Sequence, residues 1–414
     1  MPGCVVFAYF TIVTCHRLVT HELPDGFDPD TSWSGVAAAF VLVYGSAASG
    51  EVEPGTLAAG FMVGLVWFVA GLSAINVRRR LVAGPAHTKV NMAGKLCVVT
   101  GANAGVGLDT ARELAKLGAE VVLACRSEVK ATAAMLEIKS SFPKANVRFV
   151  KLDIGSLDSV RGCASQLLDA GVPIDVLINN AGVMLTELKK SSDRIDLAFQ
   201  ANRLGHFLLT TMLIPLLLKR QGRVVNVTSA IHRIPHKVDL NEVAQRNGKF
   251  PGMFEVYAET KLCNILFTAA LNRQYGSTDS NVARIKAFAV HPGTVITTNV
   301  TRDLPPWIVY LNECSLPFMK LVTKAGKEGA YSSVTAATTL GPKTGKDYDP
   351  TCYVANCKLR SPSDLAKNPY LAKELWGLSE RQQGGPDHRG RLVLQRSDSE
   401  ESIEQHSRRV CTNI

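Results

Sequence analysis

Residues 91–383 predict an α/β fold, a doubly wound parallel sheet of the Rossmann type, and three observations carry the prediction. Short apolar stretches recur along this region (KLCVVT, AEVVLAC, NVRFVKLD, IDVLINN, RVVNVTS and IKAFAVHP), each rich in β-branched residues and bounded by turn formers. The segment between the first two, LDTARELAKLG, places Leu108, Ala111, Leu114 and Ala115 on one helical face. Strands that are apolar throughout and separated by helices belong in a parallel sheet covered on both sides. The third observation is where the glycines fall: Thr100-Gly101-Ala102-Asn103-Ala104-Gly105-Val106-Gly107 lies between the first strand and that helix.

A glycine-rich strand-to-helix turn lets the backbone approach a pyrophosphate, and the helix start offers unpaired N–H groups to the anion. The spacing is GxxxGxG, and its position between strand and helix gives it weight that three glycines alone would lack. Cys125 and Arg126 follow the second strand, where an NAD site would present a carboxylate to the ribose hydroxyls. A guanidinium there favours a 2′-phosphate, so the expected cofactor is NADP(H).

The first ninety residues have another character. Residues 54–77 contain no Asp, Glu, Lys or Arg, and 57–77 read LAAGFMVGLVWFVAGLSAINV, long enough to cross a bilayer core. Arg78, Arg79 and Arg80 follow, and their cost of translocation puts the C-terminal side in the cytosol. The chain thus divides into a membrane-anchoring region, 1–90, with its span at 57–77, an α/β domain, 91–383, and a polar tail, 384–414. The charge-free stretch 31–50 is diluted by four serines and three glycines and is left open as a second span. The alternative for the whole region is a buried helix or removed segment of a soluble enzyme.

A net charge of +10 suggests nucleic acid, but the basic residues are dispersed and no nucleic-acid fold signature accompanies them, so that class is excluded. The ten cysteines include no CxxC pair, and no His cluster completes a zinc pattern, so no metal is expected. Unpaired thiols fit a domain facing the reducing cytosol.

Gly101–Gly107, Asn179-Asn180-Ala181-Gly182, Tyr257-Ala258-Glu259-Thr260-Lys261 and Pro292-Gly293 occur in the order that characterises short-chain dehydrogenases/reductases, which this chain resembles over about 94–380. ANAGVGLDTARELAKLGAEVVLACR, NNAGVM, NRLGHFLLT and KLCNILF resemble the retinol-dehydrogenase branch. AVHPG, Tyr353–Cys357 and ELWGLSER resemble the WW-domain-containing oxidoreductase, although no WW module precedes the domain here.

The resemblance implies an oxidoreductase that moves a hydride between a nicotinamide and an alcohol or carbonyl, with Asn202, Ser229, Tyr257 and Lys261 as the catalytic set. Tyr257 would exchange the substrate proton, and Lys261 would also hold the nicotinamide ribose. Ser229 would align the carbonyl oxygen, and Asn202 would support a proton relay through the lysine. Independently of the family, positions i and i+4 share a helix face, so the ammonium is expected to lower the phenol pKa. Thr228 and Ser229 point to opposite faces of their strand, so one of the two can serve, and the family pattern picks Ser229. The cofactor contacts implied are Gly101, Asn103, Gly105, Val106, Gly107, Arg126, Asp153 at the adenine, Asn180, Ala181, Gly182, and Pro292, Gly293 and Thr297 at the nicotinamide end, besides Tyr257 and Lys261.

His206 and His291 are read as structural. The long stretch His232–Phe254 between Ser229 and Tyr257 reads as a pocket wall or lid. An anchored enzyme suits an apolar substrate of the retinoid, steroid or lipid-aldehyde class, with the endoplasmic reticulum as the expected membrane. Family members pair through the Tyr/Lys helix, so a homodimer is the resemblance-based expectation. A non-catalytic dinucleotide-binding scaffold is the competing reading, and the intact catalytic set argues against it.

Overall fold

The computed structural model describes residues 90–248, 250–276, 284–293, 326–341 and 349–383. The expected span at 57–77, Thr297 and the tail lie outside them. Seven strands run parallel: β1 (Leu96–Thr100), β2 (Glu120–Cys125), β3 (Val147–Lys151), β4 (Val176–Asn179), β5 (Arg223–Val227), β6 (Lys286–His291) and β7 (Tyr353–Ala355). A two-residue β8 (Lys358–Leu359) pairs antiparallel at the edge, and the order is β3-β2-β1-β4-β5-β6-β7-β8. The six strands expected from the sequence are the first six observed. β7 and β8 are too short to show a period.

The helices are α1 (Gly105–Lys116), α2 (Glu128–Ser141), α3 (Leu157–Asp169), α4 (Leu197–Leu218), α5 (Leu240–Gln245), α6 (Met253–Tyr275), α7 (Gly326–Thr338), α8 (Asp364–Lys367) and α9 (Pro369–Gln382). Strand alternation divides the core between the two sheet faces. Leu96 and Val98 pack with Phe199, Leu213, Leu266 and Leu375 on the α3, α4, α6 and α9 side. Cys97 and Val99 pack with Ala111, Leu114, Ile138 and Val334 on the α1, α2 and α7 side. Five cysteines (97, 125, 163, 263 and 352) are free and buried, as apolar packing predicts.

β1 pairs with β2 on one side and β4 on the other, so the chain direction across the sheet reverses there. In doubly wound sheets the crevice beyond the strand ends at this reversal is where ligands bind. The loops carrying Gly101–Gly105 and Asn180–Gly182 both emerge at it.

α4 is apolar enough to cross a membrane by composition, but 72% of its most apolar window is buried inside the domain. Core packing accounts for its hydrophobicity. Its first turns contain a π-helical stretch, Gln200–Leu204, a local widening that often marks a functional position. α6 is buried at most positions between Val256 and Asn272, and α9 packs along it. Trp376 of α9 packs edge-on to Phe207, with ring centroids 4.9 Å apart, and against Phe267 at 6.1 Å. The fully buried Arg203 guanidinium sits over the rings of Phe267 (4.1 Å) and Phe207 (4.8 Å) and donates to Ser379 Oγ of α9 (3.3 Å). Among the described residues no hydrogen-bond acceptor meets its Nε or Nη1.

The stretch His232–Phe254 folds onto the domain. Asp239 caps α5, accepting from the N–H groups of Asn241 (2.9 Å) and Glu242 (3.1 Å). Leu240, Val243 and Ala244 are buried, and Arg246 ion-pairs with Glu259 on α6.

Candidate active site

The glycine turn is built by close approach. Gly101 has φ +66°, the left-handed region that disfavours side chains. A Cβ at Gly107 would stand 2.4 Å from Asn180 Nδ2 and 2.5 Å from the Gly101 carbonyl oxygen, so no larger residue fits. Asn180 Nδ2 donates to the Thr100 carbonyl (2.9 Å), and Thr100 Oγ1 accepts from the backbone N–H groups of Asn180 and Ala181 (2.9 Å each). With two N–H groups accepted, the Thr100 hydroxyl proton is left for His206 Nε2, 2.9 Å away. That makes Nε2 the acceptor and leaves Nδ1–H facing the Asn202 carbonyl at 3.4 Å. Burial pushes this imidazole down to about 3, so it is neutral and structural. Thr100 thus locks the two loops together, a role missed in the sequence although it ends the first strand.

At the far end of the crevice, Arg126 is 66% exposed and lies 3.9 Å from Asp153 Oδ2. The Cys125 thiol is buried beneath the glycine turn against the Ala102 and Asn103 amides, and desolvation pushes it up to about 11. Val106 is buried at the start of α1, while Asn103 and Gly105 are half-buried at the loop surface.

Asn202 stands in the π-helical turn and accepts from the Val183 N–H (2.7 Å). Its Nδ2 donates to the Val183 carbonyl (2.8 Å) and to Thr260 Oγ1 (3.0 Å). Thr260 in turn donates to the Tyr257 carbonyl (2.8 Å). A Cβ at Gly182 would meet Asn202 Oδ1 at 3.1 Å and Lys261 Nζ at 3.5 Å, which shows how these three positions converge. Lys261 Nζ donates to the Val227 carbonyl (3.2 Å), which also accepts from Asn264 Nδ2 (3.0 Å). Thr228 points inward, donating to the Lys261 carbonyl (2.7 Å), and the neighbouring Ser229 is half-buried.

The i, i+4 geometry puts Lys261 Nζ over the Tyr257 ring, 5.1 Å from its centroid. The electrostatics differ from the sequence expectation. Burial dominates both groups, raising the phenol above its ordinary range and bringing the ammonium down to about 8. Desolvation is what moves the phenol, while the ammonium lies over the ring and donates to the Val227 carbonyl. On the protein's own groups Tyr257 is a proton donor at neutral pH.

β6 delivers Pro292 and Gly293 to the same end of the sheet. Gly293 has φ +93°, and its N–H donates to His291 Nδ1 (3.4 Å). Among the described residues no His, Cys, Asp or Glu group is arranged to hold a metal.

Residues 95–240 match the short chain dehydrogenase family model. Retinol dehydrogenase 12 of Mus musculus is 35% identical over 309 residues, covering 74% of this chain and 92% of that protein. The chain belongs to the short-chain dehydrogenase/reductase family. Its sequence lies in the branch that holds the retinol dehydrogenases and the WW domain-containing oxidoreductase, the latter from Pongo abelii being 34% identical over 70% of this chain and 68% of its own length. A crystal structure of an uncharacterised protein from Mycobacterium Paratuberculosis shares the fold at a TM-score of 0.55 and 30% identity, covering 72% of this chain and 97% of that one.

Proposed function

We propose that the protein is an NADP(H)-dependent oxidoreductase that interconverts an alcohol and a carbonyl on an apolar substrate. The observation that carries this is the meeting of Asn202, Gly182 and Lys261 beneath Tyr257, at the mouth of a glycine cradle with no room for a side chain. The cradle fits a dinucleotide: Gly101, Asn103, Gly105, Val106 and Gly107 would take the pyrophosphate side, and Asp153 the adenine. Asn180, Ala181, Gly182, Pro292, Gly293 and Thr297 would line the nicotinamide half. Arg126 supports the 2′-phosphate, and hence NADP over NAD. When bound, the nicotinamide supplies or accepts the hydride.

Tyr257 donates its hydroxyl proton to the carbonyl oxygen during reduction and takes it back during oxidation. Ser229 donates a hydrogen bond to that oxygen and fixes its direction. Lys261, with its pKa near 8, lies close enough to neutrality to pass a proton on, and Asn202 holds the Val183 backbone and Thr260 around it. The relatives named as retinol dehydrogenases support a retinoid-like substrate, with steroids and lipid aldehydes sharing the same apolar chemistry. Such substrates dissolve in lipid, which supports an anchor at 57–77 holding the domain on the cytosolic face of the endoplasmic reticulum.

The test is a panel of retinoid, steroid and long-chain aldehydes assayed with NADPH and NADH, on the parent enzyme and on Tyr257→Phe. The variant should lose turnover by roughly a thousandfold or more while binding NADPH within about twofold. Full activity in Tyr257→Phe would remove the acid/base assignment.

A further inference from the structure

We infer that His232 is a positioning residue for Ser229, set in place by the segment that leads into the C-terminal helices. This rests on the catalytic reading above and adds to it a residue outside the known set. Ser229 ends β5 in extended backbone (φ −148°, ψ 156°) and begins a short 3-10 turn, Ala230–Arg233. Its carbonyl oxygen takes two hydrogen bonds from one residue: the His232 backbone N–H at 3.2 Å and the His232 imidazole Nδ1 at 2.7 Å. The other ring nitrogen, Nε2, receives the backbone N–H of Ser363 at 3.1 Å. An amide can only donate, so Nε2 is the acceptor, and the proton sits on Nδ1, directed at Ser229.

The imidazole is fully buried and lies against the Tyr353 ring, centroid to centroid 5.0 Å. The next residue repeats the clamp: Arg233 Nη2 donates to the Ser361 carbonyl (2.7 Å). A segment about 130 residues downstream is thereby pinned to the turn that aims the Ser229 hydroxyl. Fixing the peptide plane after Ser229 fixes its ψ, and with the extended backbone this sets where its side chain starts. The Ser229 hydroxyl is held only weakly by its own turn, through the Ile231 N–H at 3.4 Å, and so needs its direction from the backbone.

The experiment compares His232→Asn, His232→Phe and Ser363→Pro with the full-length parent, counting sites by NADPH fluorescence titration. Asn places an amide N–H at the same bond distance from the backbone as Nδ1, so it keeps the Ser229 bond and loses the Ser363 bond. Phe loses both. Pro at 363 removes the Ser363 N–H at a position whose φ of −66° already suits it. Displacing a group that orients substrate costs up to about a hundredfold. His232→Phe should therefore lower kcat per NADPH-binding site by roughly 10- to 100-fold with the KM for NADPH within about twofold. His232→Asn should recover most of that loss, and Ser363→Pro should fall between. An unchanged kcat per site in His232→Phe, or equal losses in Asn and Phe, would overturn the inference. Tyr257→Phe run alongside separates the two readings: if it turns over like the parent, the catalytic assignment fails whatever His232 does.

Discussion

Acidification from pH 7.5 to pH 5 should destabilise this fold through two buried imidazoles, and the size of the effect can be worked from their surroundings. His206 and His232 are 2% and 0% exposed, and burial pushes both down to about 3 from an ordinary 6.5. Each folded-state pKa lies below its unfolded value, so between 6.5 and 3 the unfolded chain binds more protons. Stability is then fully present above 6.5 and is lost as the pH falls through that window. At pH 5 the unfolded imidazole is about 1.5 units below its pKa, which at about 1.4 kcal/mol per unit comes to roughly 2 kcal/mol each and 4 together. That is a large share of a typical 5–15 kcal/mol. Asp196 and Glu259, whose carboxyls burial raises, pull the other way, so the measurement is a difference between proteins. Urea unfolding of the detergent-solubilised full-length chain at both pH values, for the parent, His206→Gln and His232→Gln, provides it. Each variant should flatten the pH dependence by roughly half. A pH response identical in all three would show that neither imidazole is held neutral by its site.

Removing the exposed guanidinium in Arg126→Ala should raise the KM for NADPH by roughly 10- to 100-fold, as expected for losing a charge-assisted contact, and leave NADH nearly unchanged. Equal effects on both cofactors would refute the 2′-phosphate role. Gly107→Ala forces a Cβ against the Gly101 carbonyl and should weaken NADPH binding by roughly tenfold or more, read by fluorescence titration, because backbone cannot retreat as a side chain can. In sealed microsomes, added protease should digest the C-terminal domain without detergent, and protection until detergent is added would reverse the proposed topology.

Much of this fold was legible because its signals are local. Strand and helix periods, the glycine turn, and the Tyr257/Lys261 spacing each depend on neighbours within a few residues. The pieces that were missed depend on distant parts of the chain. His232 opens the stretch whose length suggests a pocket wall or lid, and its burial depends on Ser363 and Tyr353, about 120 to 130 residues downstream. Nothing local marks Arg203 either: its surroundings are Phe207, Phe267 and Ser379, two of them distant in sequence. The Tyr257 phenol departs from its expected direction for a related reason. Spacing places the ammonium near the ring, but it does not show the burial that moves both groups.

The arrangement of α9 has a consequence for how the domain is made. Ribosomal synthesis is directional, and every other described helix precedes the one that covers α6. Until residues 369–382 emerge, Phe207, Phe267 and the Arg203 guanidinium have no Trp376 or Ser379 above them. The nascent catalytic half therefore carries an aromatic face with a cation at its centre, the sort of surface that holdase chaperones bind. Termination between Leu359 and Pro369 would leave that face bare beside an otherwise complete sheet.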